Sequence, residues 1–190
     1  MQDISLHLLD IIENSIRAKA QNVEIYIEVN KKNNMLKIKV DDDGHGMDED
    51  MLVNSQNPFF TTKIDREKKI GLGIPLFKQN AEACDGSFLI RSKKGKGTTI
   101  AAEFRLNHID RMPLGNISDT VLTSIIGHPE TDISFTMKTV DLNDEITDFI
   151  FDTKLIKREL EGIPLNHPDI TSFISSFLTE GITGLYKEEV

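Results

Sequence analysis

Residues 4–20, ISLHLLDIIENSIRAKA, constrain this chain more than any other stretch. Wound at 3.6 residues per turn, Ile4, Leu8, Leu9, Ile11, Ile12 and Ile16 fall on one arc. Asp3, His7, Asp10, Asn14 and Arg17 stack along the other, spaced alternately four and three residues apart. An apolar arc this continuous needs a second layer to cover it. Read alone, the stretch is an amphipathic helix with a polar outer face. A solvated face, however, ordinarily scatters Glu and Lys, whereas this one aligns Asp10 and Asn14 with Glu13 close by. Short oxygen-bearing side chains of that kind suit a hard cation.

The covering layer follows directly. Residues 23–29 (VEIYIEV) and 35–41 (MLKIKVD) alternate as half-buried strands around a polar turn, so a hairpin should pack on the apolar arc. The second strand runs into Asp41-Asp42-Asp43-Gly44-His45-Gly46-Met47. Three adjacent carboxylates repel one another, which suggests that a site holds at least one of them. The two glycines allow close backbone approach. An acidic glycine turn is the plainer alternative. A calcium loop does not fit, for want of the later bidentate Glu and alternating oxygen ligands. Residues 48–69 are polar apart from NPFFTTK, in the manner of a functional lid, with Phe59 and Phe60 as buried anchors. Ile70-Gly71-Leu72-Gly73-Ile74-Pro75 then opens a helical pattern over 76–84, and a Gly-rich helix start with an early Pro favours anions. Residues 87–92 and 98–106 read as two further strands joined by a basic turn.

Composition narrows the classes. The net charge of −9 argues against a general nucleic-acid surface, which needs clustered Lys and Arg. No apolar run approaches the ~20 residues that cross a bilayer, and no basic-then-apolar leader opens the chain. The single Cys84 excludes an internal disulfide and reads as a small buried hydrophobe. The chain reads as cytosolic, with neither nucleic acid nor membrane as partner. No Gly-x-x-x-x-Gly-Lys-Ser/Thr loop is present, which excludes the P-loop class.

In this order, four segments resemble the ATP-binding domain shared by DNA gyrase B, Hsp90 chaperones, histidine kinases and MutL proteins, the GHKL superfamily. IIENSIRAKA resembles its Asn box in the form typical of MutL, and DDDGHGM its Asp-x-Gly-x-Gly box. NPFFTTK resembles the lid phenylalanine box of nitrogen-regulatory-type histidine kinases, and GLGIPLFKQNAEACDGSF with GKGTTIAAEF its glycine boxes. The resemblance covers residues 1–106. It implies the α+β Bergerat fold, a two-layer α/β sandwich with a mixed sheet and helices on one face. It also implies ATP and Mg²⁺ as ligands. Asn14 would then give its carboxamide oxygen to Mg²⁺, and Asp42 would accept from the adenine amino group. Gly44, Gly46 and Met47 would border the base, with Thr98 assisting through a hydroxyl or a water. Gly71, Leu72 and Gly73 would hold the phosphates, aided by Lys63 from the lid.

The departures from that pattern carry their own expectations. Hydrolytic members place Glu one turn before the Asn; here Asp10 stands there, a shorter candidate general base that implies slow hydrolysis. Glu13 lies further round the helix and is the poorer base. Lys69 replaces the first Gly of the kinase-type glycine run. Since only a few residues precede the Asn box, no phosphoacceptor helix is expected, and His7 reads as a wall of the site.

After residue 106 the pattern departs from the family. Residues 111–115 read as a linker, 133–140 and 146–151 as a hairpin, 154–161 and 169–186 as helices. The division expected is an ATP-binding domain over 1–108 and an α+β annex over 112–190 that docks on the first domain or on a partner. His128 and His167 each adjoin Pro in loops and read as structural. Three functions stand open: a nucleotide-gated regulator engaging an unidentified protein through lid and annex, a protein kinase similar to anti-sigma-factor kinases, and a MutL-like ATPase. A homodimer is compatible with each.

Overall fold

The computed structural model describes residues 3–57, 73–160 and 162–186. Helix α1 (Ile4–Arg17) starts at Asp3, whose side chain accepts from the Leu6 amide at 3.0 Å. Asp3 is therefore a cap that satisfies an orphan N–H, and not part of the polar stripe. The helix ends at Arg17, with Ala18 as its cap. Lys19 turns into the left-handed region at φ 59°, and the Lys19 and Ala20 amides return to Ile16 and Ser15 carbonyls. Ile4, Leu8, Ile11 and Ile12 are fully buried, as the apolar arc requires.

Strands β1 (Asn22–Asn30) and β2 (Met35–Asp42) form the expected antiparallel hairpin. Helix α2 (Glu49–Ser55) occupies the start of the polar segment expected to be loop throughout. Asp48 caps it by accepting from the Met51 amide, with Glu49 and Asp50 favourably placed in its first turn. Helix α3 (Gly73–Ala83) leads into the hairpin of β3 (Ser87–Lys93) and β4 (Gly97–Arg105). Helix α4 (Ile117–Gly127) has no counterpart in the sequence reading. Its ISDTVLTSIIG is rich in β-branched residues and lacks a clear polar face, because α1 lies on one side of it and α6 on another. Strands β5 (Asp132–Val140) and β6 (Ile146–Asp152) and helices α5 (Thr153–Glu159) and α6 (Pro168–Leu185) complete the chain, close to the expected hairpin and two helices.

The six strands form one mixed sheet in the order β3-β4-β2-β1-β5-β6. The second half of the chain attaches by strand addition: β5 lies parallel to β1, in register from Asn22 opposite Asp132 to Asn30 opposite Val140. Nor is the 111–115 segment a free linker. The Pro113 and Leu114 carbonyls accept from the Ile4 and Ser5 amides at 2.9 Å, clamping the connection to the start of α1.

Alternation decides the two faces of the sheet. Val23, Ile25, Ile27, Leu36, Ile38, Phe104, Ile133, Phe135 and Met137 are buried, in one core with α1, α3, α4 and α6. The other face carries alternating charges across neighbouring strands: Lys37 pairs with Glu103 at 3.3 Å and Lys138 with Glu28 at 3.7 Å. The architecture is the α+β sandwich with a mixed sheet that the motifs implied.

Phe135 lies on β5 with no exposure, at the centre of this core. Phe135→Ala should lower stability by about 3–5 kcal/mol in urea denaturation.

Candidate functional site

The three carboxylates at the end of β2 do not compete, because each turns to its own donors. Asp41 faces the open side of the sheet, between the Thr99 hydroxyl and the Lys39 ammonium, both at 2.5 Å. Asp43 accepts from the Gln21 amide at 2.8 Å, the Asn22 amide at 2.9 Å and the Asn22 side chain at 2.6 Å. Burial works to raise its pKa, but these donors outweigh that and hold it below the ordinary carboxylate value. Asp41 and Asp43 thus serve the sheet and the start of β1.

Asp42 is different. Its Oδ1 accepts from the Gly44 amide at 2.9 Å and the Thr98 amide at 3.2 Å, and its Oδ2 accepts from the Ser15 hydroxyl at 2.8 Å. A carboxylate offers about four lone-pair directions. Donors among the described residues use three, which leaves one on Oδ2.

The wall beside Asp42 is built by the β3–β4 hairpin. Ser92 bonds the Thr98 hydroxyl at 2.9 Å, donates to the Gly97 carbonyl at 3.0 Å and accepts from the Met47 amide at 2.8 Å. Met47 is thereby held behind Gly46, which has φ +62° and would place a Cβ 2.1 Å from the Lys93 carbonyl oxygen. Only glycine meets both demands. Ser15 and Ser92 escaped the sequence reading. The signal for Ser15 was present: a small hydroxyl on the apolar side of α1, directly after Asn14.

Along α1, His7, Asp10 and Asn14 keep the alignment that the spacing predicted. The Asn14 side chain makes no hydrogen bond to a described residue, leaving its carboxamide oxygen available. Asp10 lies against the first residue of α3, where a Cβ on Gly73 would stand 2.7 Å from Asp10 Oδ2. A glycine at 73 is what lets the carboxylate reach the start of that helix. Glu13 is engaged elsewhere, with His128 Nε2 at 3.1 Å and Arg17 at 4.0 Å.

His7 is buried, 1% exposed, with its ring 5.6 Å from that of Phe77. The Asn80 amide nitrogen faces His7 Nε2 at 3.0 Å and Met112 Sδ at 3.7 Å. Burial pushes the His7 pKa below 6.5. Lys63, Gly71 and Leu72, with Phe59 and Phe60 of the expected lid, lie outside the described residues.

A mixed-sheet sandwich with an Asn-bearing helix set against a fixed carboxylate at a strand end defines a class of nucleotide-site architecture, and the comparisons identify its family. Residues 2–108 match the model described as "Histidine kinase-, DNA gyrase B-, and HSP90-like ATPase", and the chain belongs to this family. Sporulation kinase C of Bacillus subtilis (strain 168) is 34% identical over 90 residues, 47% of this chain and 20% of that protein. Sensor histidine kinase ZraS of Escherichia coli (strain K12) is 31% identical over 108 residues, 57% of this chain and 23% of that protein. The chain therefore spans about a fifth of the length of these relatives. Among solved structures, the N-terminal domain of a DNA repair protein shares the fold with a TM-score of 0.51 at 14% identity, covering 77% of this chain and 51% of that one. No helix among the described residues is long and apolar enough to cross a membrane.

Two measurements test this geometry without any ligand. Ser15→Ala strips Asp42 Oδ2 of its one donor among the described residues and should cost about 1–3 kcal/mol in urea denaturation. Below pH 6.5 the unfolded chain takes a proton at His7 that the folded chain resists. Stability should therefore fall as pH drops from 6.5 towards the lower folded value. Denaturation at pH 7 and pH 5 should show a smaller difference for His7→Gln than for the wild type.

Proposed function

We propose that the chain is a Mg²⁺-ATP-binding, nucleotide-gated regulator with slow hydrolysis. One observation carries the proposal: Asp42 is locked by donors from α1, the glycine turn and β4, with one lone-pair direction left over. An adenine amino group matches that remaining acceptor, and Gly44, Gly46, Met47 and Thr98 border it. Asn14 fits a magnesium ion by chemistry, as a single neutral oxygen of the kind Mg²⁺ combines with phosphates and water. Bound there, the ion would neutralise phosphate charge.

Gly73, at the start of α3, stands with Gly71, Leu72 and Lys63 as the phosphate-holding set. Asp10, one turn from Asn14 and pressed to Gly73, is the candidate base. Its side chain is one methylene shorter than Glu, so it orients an attacking water poorly and turnover is slow. The division of labour that follows gives nucleotide binding to residues 1–108 and partner contact to 112–190.

The kinase names of the relatives support a second reading, phosphate transfer to a partner protein. The fate of γ-labelled phosphate separates the two: retained on nucleotide or slowly freed for the regulator, carried on a protein for the kinase. Calorimetry should show Asp42→Ala binding ATP about ten- to a hundredfold more weakly, corresponding to a lost charged hydrogen bond of about 1.5–3 kcal/mol. Unchanged affinity would remove the adenine assignment. For turnover, Asp10→Glu should exceed the wild type and Asp10→Asn should fall below it with binding retained. Equal rates for the three would take Asp10 out of the chemistry.

A further inference from the structure

The sheet has two edges, and they are not treated alike. An edge strand exposes a row of backbone N–H and C=O groups, and natural proteins blunt such rows with Lys, Arg, Pro or bulges. Strand β3 follows this practice: Arg91 and Lys93 lie on it, and Lys94 and Lys96 on the adjoining turn. Strand β6, ITDFIFD, has no Lys, Arg or Pro. It pairs regularly with β5 from Ser134 opposite Asp152 to Val140 opposite Ile146, without a bulge.

Each face beside this edge carries accessible apolar side chains, and on the helix-free side these alternate with Asp148 and Asp152. On the helix-free side Ile146 and Ile150 are 59% and 62% exposed. On the helix side Phe177 packs against Phe149 and Phe151, with ring centroids 5.3 and 6.3 Å apart, and Phe173 stacks on Phe177. Both α6 rings remain largely accessible, at 58% for Phe173 and 42% for Phe177. A strand laid along β6 would thus find backbone partners in the middle, aromatic rings on the helix side and alternating Ile and Asp on the other.

The charges at the two ends of β6 indicate what that strand is. Before it runs the acidic turn Asp141-Leu142-Asn143-Asp144-Glu145, and after it comes Lys154-Leu155-Ile156-Lys157-Arg158 on α5. Leu142 is 73% exposed and Leu155 57% exposed. Antiparallel pairing of β6 with a second β6 sets the acidic end of each copy against the basic end of the other, twice, about one two-fold axis. It also lays Leu142 towards Leu155. With Phe149 opposite its own copy, Ile146 faces Asp152 and Asp148 faces Ile150, so no two carboxylates meet. Parallel pairing would instead align like charges.

We propose that β6 is a self-association edge, joining two copies of this chain antiparallel into one continuous sheet. Such an isologous contact closes after two copies and leaves the blunted β3 edges at its ends. The assignment stands independently of what the nucleotide cleft does.

Sedimentation equilibrium of the full chain tests it. The wild type should have twice the monomer mass at tens of micromolar, and the dimer should weaken with salt because its ends are ion-paired. Ile150→Lys, at an exposed position where folding is retained by circular dichroism, should shift the chain to monomer. Glu145→Lys and Lys154→Glu should each weaken the dimer at least tenfold. The two changes combined in one chain restore opposite signs across the axis and should recover most of it. A wild type that stays monomeric overturns the proposal. So does a dimer indifferent to Ile150→Lys, or a double reversal no better than either single one.

Discussion

The fixed carboxylate of Asp42 organises this molecule. Its donors come from a helix, a turn and a strand that are far apart in sequence, Ser15, Gly44 and Thr98, so it reports on the registration of all three at once. Strand β2 delivers Asp42 to the sheet end, and β4 lies directly opposite, with Asp42 paired to Thr98. Helix α1 must sit at the depth at which Ser15 reaches down, which its buried isoleucines set. A slip of one residue in β2 would turn the carboxylate to the opposite face and break all three bonds together. The strong register constraint of a one-sided sheet thus fixes where this carboxylate points.

Much of the fold was legible because period and chemistry coincided. The apolar arc of α1 and the alternation of β1 and β2 predicted the layers, and the structure sets Asp42 beside Gly44 and Thr98, and Asp10 beside Gly73. What was missed has physical reasons. Helix α4 is covered on more than one side, so its sequence carries no amphipathic stripe, and its β-branched residues mimic a strand. The parallel pairing of β5 with β1 leaves no local trace, since no turn joins the two strands. Three successive aspartates suggested mutual repulsion, but strand alternation and separate donors disperse them. Ser92 is a short hydroxyl whose role becomes visible only when its partner strand is in place.

The polar stripe of α1 also shows how one helix can serve two neighbours. His7 reaches Asn80 on α3, and Asp10 meets Gly73 at the start of the same helix. Glu13, nearly on the same face, turns instead to His128 just beyond α4. The Asn80 amide continues from His7 to Met112, where the chain passes into its second half. The buried histidine is accordingly a spacer with directional bonds, setting the distance between the candidate phosphate helix and the Asn-bearing helix more firmly than apolar packing would.

The place of β1 in the sheet has a consequence for how the chain comes together. On one side β1 pairs with β2 across a short turn, a contact that closes within microseconds once both strands exist. On its other side it waits for β5, whose partner residues lie 110 positions later, from Asn22 to Asp132. At ribosomal rates of about 5–20 residues per second, that interval is on the order of 5–20 s. Through all of it the nascent hairpin carries an unpaired, strongly apolar central strand. In the finished molecule β1 is one of the two central strands of the sheet, and until β5 is made one of its edges stands open. Its Glu24 and Glu28, on the face that never enters the core, place negative charge along an edge that would otherwise add to any neighbouring strand.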